Sequence, residues 1–218
     1  MSNSNEENIE RELKFTLNGK REFERLVSEL PRPKEIVYQE NIFFDTPGRL
    51  LGQNGWALRV RLISGENENT RAEITAKGLA RGEGSFSERP EISSPVEHSI
   101  ATSIVAGGLD LLSMKSPAVE RIRPYLSGEK LIPLVSFKNT RSTTRFPKQN
   151  PFCFIEMDET FFSENMVEYE IEIESNDREI LKRAAVEVQR FLDEHKIDYQ
   201  PGEKSKLERA LELCGAFG

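Results

Sequence analysis

The sequence predicts an α+β fold, in which a closed eight-stranded antiparallel β-barrel with a charged lumen is covered by helices. Eight segments alternate charged and apolar residues with the two-residue period of a β-strand. The remaining periodic segments are predicted to be amphipathic helices, whose apolar stripes need a sheet face to cover. If the charged strand faces met solvent, the apolar faces would pack against one another and leave little sheet surface for these helices to cover. We therefore expect the apolar faces outside, beneath the helices, and the charged faces inside.

The individual elements follow from the same periodicities. Strands are predicted over residues 9–15, 35–44, 56–62, 71–77, 85–92, 135–146, 151–161 and 168–174. Helices are predicted over residues 19–30, 95–106, 118–122, 177–194 and 204–214. Pro31 ends the first helix, Asp177 is a suitable N-cap for the long one, and residues 78–84 are expected to form a flexible loop. Pro90 fits an edge strand or a bulge better than a central strand, because proline donates no backbone hydrogen bond.

The most informative strand is the last one, Glu168-Tyr-Glu-Ile-Glu-Ile-Glu174. Its four glutamates share one face, where like charges repel each other. Two kinds of cation could face them, bound metal ions or the basic side chains of other strands. An ordinary solvated strand face is the alternative for this stretch taken alone.

The charges of the predicted lumen are segregated by strand. Acidic residues lie on the first, seventh and eighth strands, and basic residues lie mainly on the third, fourth and sixth. An eight-stranded barrel has room inside for side chains and one small ligand, and buried charges need a partner or a metal. Carboxylates can hold a divalent metal, the metal can hold phosphate, and Arg or Lys can neutralise the remaining oxygens. The pattern therefore predicts a polyphosphate site.

Composition excludes several other classes of protein. A net charge of −7 argues against a general nucleic-acid binder, and no apolar run approaches the roughly 20 residues that span a bilayer. The first residues lack the features of a signal peptide, and two cysteines imply neither a disulfide framework nor a cysteine-based zinc site. We expect a cytoplasmic protein with a small-molecule partner, no nucleic acid and no membrane. Oligomeric state is not readable from the sequence. Residues 1–8 are expected to be a disordered tail before a single domain over residues 9–215.

The residues on the charged faces resemble a known family. Glu10-Arg-Glu-Leu-Lys14 matches the ExExK signature of the CYTH superfamily, the triphosphate tunnel metalloenzymes. The order of the other motifs strengthens a match that five residues alone would leave weak. These motifs are Phe43-Phe-Asp-Thr-Pro47, Gly55-Trp-Ala-Leu-Arg-Val-Arg61, Ile74-Thr-Ala-Lys77, Glu88-Arg-Pro-Glu91, Ile155-Glu-Met-Asp158, Tyr169-Glu-Ile-Glu172 and Lys204-Ser-Lys206.

The resemblance implies a tunnel that binds triphosphate together with two metal ions, Mg²⁺ or Mn²⁺. The implied metal ligands are Glu10, Glu12, Asp158, Glu170 and Glu172. The implied phosphate-binding residues are Lys14, Arg59, Arg61, Lys77, Arg141, Arg145 and Lys206. Arg89 would join the substrate site as a supporting pair with Glu91, or the two would form a plain cross-strand ion pair. The implied catalytic set is Glu10, Glu12, Lys14, Glu170 and Glu172. Glu168 and Glu174 are expected to be charges near the rim, and Ser205 a helix cap.

Within the superfamily, the local sequence of these motifs is most similar to that of inorganic triphosphatases. The predicted reaction is therefore hydrolysis of the terminal phosphate of inorganic triphosphate. The alternatives are a thiamine triphosphatase, a class IV adenylate cyclase or a non-catalytic polyphosphate-binding module. Trp56 lies two places before Leu58, whereas in animal thiamine triphosphatases the tryptophan directly precedes the Leu-Arg pair. We expect Trp56 to be packed under a helix, which weakens the thiamine alternative.

Overall fold

The computed structural model of the protein describes residues 8–65, 69–146 and 153–215. The predicted tail, apart from Asn8, and the first two residues of the predicted seventh strand lie outside the described residues. The strands are β1 (Asn8–Leu17), β2 (Glu35–Asp45), β3 (Ala57–Gly65), β4 (Thr70–Lys77), β5 (Arg81–Glu83), β6 (Phe86–Val96), β7 (Ile132–Arg145), β8 (Phe154–Ser163), β9 (Met166–Glu174) and β10 (Tyr199–Pro201). The helices are α1 (Lys20–Glu29), α2 (Leu50–Gln53), α3 (His98–Val105), α4 (Pro117–Ile122), α5 (Arg178–Glu194) and α6 (Lys206–Leu213).

The eight long strands form a closed antiparallel barrel, as predicted. They pair in the order β1-β9-β8-β7-β2-β3-β4-β6, and β6 pairs back with β1 to close the ring. The short strands β5 and β10 add to β6 and β1 outside the ring. Glu12 on β1 lies opposite Glu174 on β9, and Glu10 lies opposite Arg89 on β6. This register brings the glutamates of the first strand, β1, next to Glu174 of the last long strand, β9.

The outer faces of the barrel are apolar and are covered by two helical layers. On one side α1 and α5 pack on β1, β8 and β9, where Phe15, Ile171 and Leu181 are fully buried or nearly so. On the other side α3 and α4 pack on β3, β4 and β6. Each fully buried side chain of this kind contributes about 1.5–3 kcal/mol. Trp56 belongs to the second layer and stacks on Tyr125, 6.2 Å between ring centroids, so it is packed as predicted.

Helix α6 enters one end of the barrel. Ala210 and Leu211 pack there on the lumen-facing Phe43, Val135 and Phe137. The helix begins with a capping box in which Ser205 accepts a hydrogen bond from the Glu208 backbone and the Glu208 side chain accepts one from the Ser205 backbone, which confirms the predicted cap. None of the described helices is long and apolar enough to cross a membrane.

Several element boundaries differ from the prediction. Asn8 is the first residue of β1 rather than part of a tail, and the helix predicted from residue 95 begins at His98 because β6 continues through Val96. The short elements β5, α2 and β10 and two 3-10 helices, Leu111–Ser113 and Arg123–Tyr125, were not predicted, because three or four residues carry no readable periodicity. Strand β5 lies within residues 78–84, so the expectation of a flexible loop there was wrong for that part.

Pro90 lies at a local edge of β6, as expected, although the strand as a whole is paired on both sides. Pro90 lies just beyond Glu91, whose partner Lys77 is the last residue of β4. Beyond that point the Gly78 amide donates to the Pro90 carbonyl. The missing proline N–H therefore breaks no ladder hydrogen bond with β4.

Candidate functional site

The barrel encloses a cavity of about 520 Å³, into which the charged strand faces point. Most of the predicted site residues line it together: Glu10, Glu12, Lys14, Arg59, Arg61, Lys77, Arg89, Arg141, Glu172 and Lys206. Asp158 and Glu170 face the same way but are completely buried beneath Lys206. Arg145, by contrast, is exposed at the last residue of β7 and does not line this cavity.

One group of carboxylates lies under helix α6, and we call it the α6 cluster. It consists of Asp158, Glu170 and Glu172, whose oxygens come within 4.8 Å of one another. All three residues are buried. Their repulsion makes this arrangement stable only if cations lie close by.

Three cations make close contacts with the α6 cluster, and a fourth, Lys14, lies 3.9 Å from Glu172. Lys206 lies 2.8 Å from Asp158 and 2.8 Å from Glu172, and it also contacts Glu170. Arg141 donates to Asp158 at 2.8 and 2.6 Å and also contacts Glu172. Although burial alone would have the opposite effect, these cations lower the pKa of Glu172 and Asp158. The same contacts raise the pKa of Lys206 and Arg141 above their ordinary values.

The third cation is Arg209, which was not among the predicted site residues. It donates to Glu168 and to Glu170, both at 2.6 Å, and lies over the ring of Phe162. Each of the three carboxylates of the α6 cluster therefore has cationic partners.

A second group of carboxylates lies where β1 meets β9, and we call it the β1 cluster. It consists of Glu10, Glu12 and Glu174, again with oxygens within 4.8 Å of one another. Lys77 and Arg89 contact Glu10 at 2.9 and 2.6 Å, and they lower its pKa although burial would raise it. Within the described part of the chain, Glu174 has no ion-pair partner. The cations of this cluster therefore lie on one side of it.

Between Glu174 and Glu156 the carboxylates outnumber the cations that contact them. Glu156, Glu172 and Glu174 form a third group with oxygens within 4.8 Å, which joins the two clusters. The Glu174 side chain is accessible to solvent, but the protein around it, together with Glu156 and Glu10, raises its pKa to about 8. Burial, reinforced by Glu172 and Asp158, also raises the pKa of Glu156 despite its contact with Arg141. Negative charge is in excess along this wall.

The opposite wall has an excess of positive charge. Arg59 and Arg61 project from β3, and Glu73 lies 3.0 Å from Arg59 and 3.3 Å from Arg61. Burial and the neighbouring Arg59 lower the pKa of Arg61 to about 9. Burial also lowers the pKa of Arg59, in spite of Glu73. An anion placed between these guanidinium groups would relieve both effects.

The remaining charges have other partners than the sequence suggested. Arg89 and Glu91 share a face of β6, but Arg89 bonds to Glu10 whereas Glu91 contacts Lys77 at 2.6 Å. They support the β1 cluster separately and not as a pair.

The alternating pattern also indicates lumen residues that were not predicted as site residues. Glu73, Glu156 and Glu174 share faces with predicted site residues and line the lumen or an adjoining cavity that shares Arg61 and Arg141 with it. Arg209 follows Lys206 by three residues, which places both on one helix face. Arg49 also lines the cavity, from a loop whose position periodicity cannot indicate.

The donor set of the lumen fits a divalent metal. Each group offers three carboxylate oxygens, the ligand type that Mg²⁺ and Mn²⁺ prefer. The β1 cluster retains a carboxylate without a cation partner in the described residues, whereas the α6 cluster is neutralised by side chains.

A comparison with protein families agrees with this architecture. The model of the CYTH domain matches residues 8–211. The chain belongs to the CYTH family. This confirms the resemblance that the order of the motifs predicted. No curated protein matches the sequence significantly.

Solved structures with the same CYTH fold come from several organisms. A candidate adenylyl cyclase from Hippeastrum, described as having a dominant triphosphatase activity, has a TM-score of 0.80 and 25% identity, covering 94% of this chain and 96% of that one. A candidate adenylate cyclase from Bacillus halodurans has a TM-score of 0.67 and 20% identity over 92% and 97% of the two chains. A Pyrococcus horikoshii protein has a TM-score of 0.61 and 20% identity over 93% and 99%. The last two similarities concern the fold alone.

Proposed function

We propose that this CYTH protein hydrolyses the terminal phosphate of inorganic triphosphate inside its lumen, in a reaction that depends on Mg²⁺ or Mn²⁺. The observation that carries the proposal is the separation of charge within one cavity. Arg59 and Arg61 on one wall share the single carboxylate of Glu73, whereas Glu174 on the other wall has no ion-pair partner within the described residues, so the two walls do not neutralise each other. A polyanion bound with a divalent cation supplies a counter-ion to both walls.

The basic wall binds the phosphates in this proposal. Arg59 and Arg61 hold phosphate oxygens through charged hydrogen bonds, which replace the repulsion between the two guanidinium groups. Lys14 lies 3.1 Å from Glu12 and 3.9 Å from Glu172, between the two acidic clusters, where it can contact the same substrate. Arg141 and Lys206 extend the basic lining towards α6.

The acidic wall holds the metal. We assign Glu10 and Glu12 to it from the predicted ligands, and we add Glu174, whose carboxylate lies with theirs in one group of oxygens within 4.8 Å of one another. A bound ion would neutralise charge on the phosphoryl group that is transferred. The other three predicted ligands, which form the α6 cluster, would have to exchange contacts with Lys206, Arg141 and Arg209 for contacts with a metal.

The side chains of the chain favour direct attack by water over a covalent intermediate. The residues that line the cavity include neither histidine nor cysteine in the described part of the protein. Phosphoryl transfer needs little beyond positioning and charge stabilisation, which the arginines and lysines of the lumen can provide. No carboxylate is singled out as a base.

One observation bears on the size of the substrate and another on the reaction. Trp56 lines the cavity, but it is buried and stacks on Tyr125 with Arg121 over its ring, which leaves little of it to stack on an organic group. The Hippeastrum relative, though assigned as a candidate cyclase, is described as having a dominant triphosphatase activity, which favours hydrolysis over cyclisation.

The test is an assay of tripolyphosphate, thiamine triphosphate and ATP with Mg²⁺ or Mn²⁺, in which phosphate, pyrophosphate and cyclic AMP are measured. We expect phosphate release from tripolyphosphate above the other substrates. Glu10→Ala should abolish it, while the matched control Glu24→Ala, in an exposed ion pair on α1, should not change it. Cyclic AMP with pyrophosphate from ATP would identify a cyclase instead. Binding of tripolyphosphate without turnover would leave a non-catalytic binding module.

A further inference from the structure

We propose that Arg49 is a specificity-determining residue that binds the end of the substrate opposite the phosphate that is hydrolysed, and that it favours a free phosphate there over a phosphate ester. The inference rests on the proposed function and deepens it, because it names the residue that would select inorganic triphosphate over organic triphosphates. Arg49 was not among the predicted site residues.

Arg49 lies at the end of the barrel where helix α6 enters. It follows β2 in the connection to β3, and it lines the same cavity as Arg59 and Arg61. Ala57, the first residue of β3, packs beside α6 at this end. The next lumen-facing residues of β3 are Arg59 and then Arg61, in steps of about 7 Å. The three arginines therefore form a row that runs from the α6 end of the lumen inwards.

The guanidinium group of Arg49 has no hydrogen-bond acceptor within the described residues. Its Nε is buried and unpaired, and the carboxylate oxygen that it approaches, Asp45 Oδ2, is 3.6 Å away. The Asp45 carboxylate is already used by the backbone, because it accepts from the amides of Thr46, Leu51 and Gly52 at 2.7, 2.9 and 3.1 Å. Arginine offers five N–H donors in a planar fork that matches phosphate. An anion in the lumen is the partner that this group lacks.

The backbone of Arg49 is held in an unfavourable conformation. Its φ of 61° and ψ of 33° lie in the left-handed region, which glycine adopts at a lower cost than any residue with a Cβ. Asp45 holds the loop in this shape through its hydrogen bonds to the first turn of α2. Backbone strain of this kind occurs preferentially at ligand-binding sites. The loop therefore positions the Arg49 side chain at the cavity before any substrate binds.

The place of Arg49 in the row determines which part of the substrate it meets. In the proposed site the phosphate that is hydrolysed lies between the β1 cluster and Arg61, at the inner end of the row. The other end of the phosphate chain then points towards Arg49. In inorganic triphosphate this end is a free phosphate, which a guanidinium group can bind through two parallel hydrogen bonds. In an organic triphosphate one of its oxygens carries the organic group, so the charge is smaller and one acceptor is lost.

The test compares tripolyphosphate with ATP, both with Mg²⁺, in the wild type and in Arg49→Gly. KM and kcat are measured where a ligand is turned over, and affinity is measured by calorimetry where it is not. For tripolyphosphate we expect a roughly 10-fold rise in KM at unchanged kcat, or an equal loss of affinity, because a bidentate charged contact is removed. For ATP we expect a change of less than about 2-fold, because its esterified phosphate does not form that contact.

Three further variants separate the charge of Arg49 from its structural role. Arg49→Gln keeps most of the side-chain length without the charge and should lose the same preference, whereas Arg49→Lys should recover part of it. Circular dichroism checks that each variant is folded, and glycine suits the left-handed backbone. Lys196→Gly is the matched control, because Lys196 is also a cation with a left-handed φ, 53°, but it is exposed and lies outside the cavity. It should bind both ligands as the wild type does.

Two results would overturn the proposal. Equal losses for tripolyphosphate and ATP would show that Arg49 does not distinguish a free phosphate from an ester, and no loss for either would show a solvated surface charge. Failure of the proposed hydrolysis is recognised separately, as tripolyphosphate that binds without phosphate release, and the calorimetric affinities then still test Arg49. Absence of tripolyphosphate binding to the wild type would overturn both proposals.

Discussion

The two acidic clusters of the lumen share strand β9 and have the same ligand chemistry, yet their surroundings are opposite. In the α6 cluster, Asp158, Glu170 and Glu172 are met by Arg141, Lys206 and Arg209. In the β1 cluster, Lys77 and Arg89 gather on Glu10, while Glu174 has no ion-pair partner in the described part of the chain. The glutamates of β9 therefore differ: Glu170 and Glu172 are paired with cationic side chains, whereas Glu174 is available to a bound cation.

The difference teaches that a cluster of carboxylates must be judged by its neighbours. Crowding of carboxylates is costly in both groups, and side-chain cations compensate only the α6 cluster fully. The lowered pKa of Asp158 reports compensation, whereas the raised pKa of Glu174 reports its lack.

The largest effect is expected from Arg141→Met, which removes a cation from the α6 cluster. Asp158 and Glu172 would stay buried with one partner fewer, and loss of one partner of a buried pair costs about 3–5 kcal/mol of unfolding free energy. Urea unfolding of the metal-free protein measures it. Arg123→Met, in an exposed pair with Glu120, is the matched control and should leave stability unchanged. Equal stability of Arg141→Met and the control would show that the α6 cluster does not depend on its cations.

Metal affinity should distinguish the clusters next. Glu174→Gln is expected to weaken Mn²⁺ binding roughly 100-fold, because the site loses a charged oxygen ligand. Asp158→Asn should weaken it by less than about 3-fold, since that carboxylate is already paired. Titration of Mn²⁺ by electron paramagnetic resonance gives both values. A larger loss in Asp158→Asn than in Glu174→Gln would assign the metal to the wrong cluster in our account.

Thermal stability without metal should respond in opposite directions. Glu170→Gln leaves Arg209 and Lys206 with less compensation and should lower the melting temperature by about 5 °C or more. Glu174→Gln removes repulsion with Glu156 and Glu10 and should leave the melting temperature unchanged or raise it. Differential scanning calorimetry in EDTA compares them. The two clusters would not differ if both variants melted below the wild type by the same amount.

The smallest effect is expected at Arg145, which belongs to neither cluster. It was predicted to bind phosphate, but it is exposed at the end of β7. Arg145→Ala should change the KM for tripolyphosphate by less than about 2-fold, because an exposed charge at a distance is screened by salt. Arg61→Ala, on the basic wall of the cavity, provides the comparison and should raise KM by at least about 10-fold. Steady-state kinetics measures both KM values, and an increase for Arg145→Ala as large as that for Arg61→Ala would show that Arg145 belongs to the site.

The sequence was sufficient for the barrel because alternation is a property of each strand by itself. Leu13 and Phe15 point out and Glu12 and Lys14 point in, whatever the neighbouring strands are. The same alternation placed Arg59 and Arg61 on the charged face before any strand order was known. Short elements such as α2 gave no such signal.

The partners of each charge could not be predicted, because they depend on the register between strands and on α6. Glu170 and Glu174 are alike in the sequence, and only the position of Arg209 separates them. Arg89 and Glu91 shared a face as predicted, yet they bond to Glu10 and Lys77 on other strands. Pairing across a barrel is a tertiary property that the period of one strand does not contain.

The central claim is that the metal binds at the β1 cluster and joins the phosphates to the acidic wall. The most direct measurement is anomalous diffraction from crystals of the protein grown with Mn²⁺ and tripolyphosphate. We predict an anomalous peak at bonding distance from Glu10, Glu12 and Glu174, with phosphate between it and Arg61. A peak enclosed by Asp158, Glu170 and Glu172, with Lys206 displaced, would contradict the account.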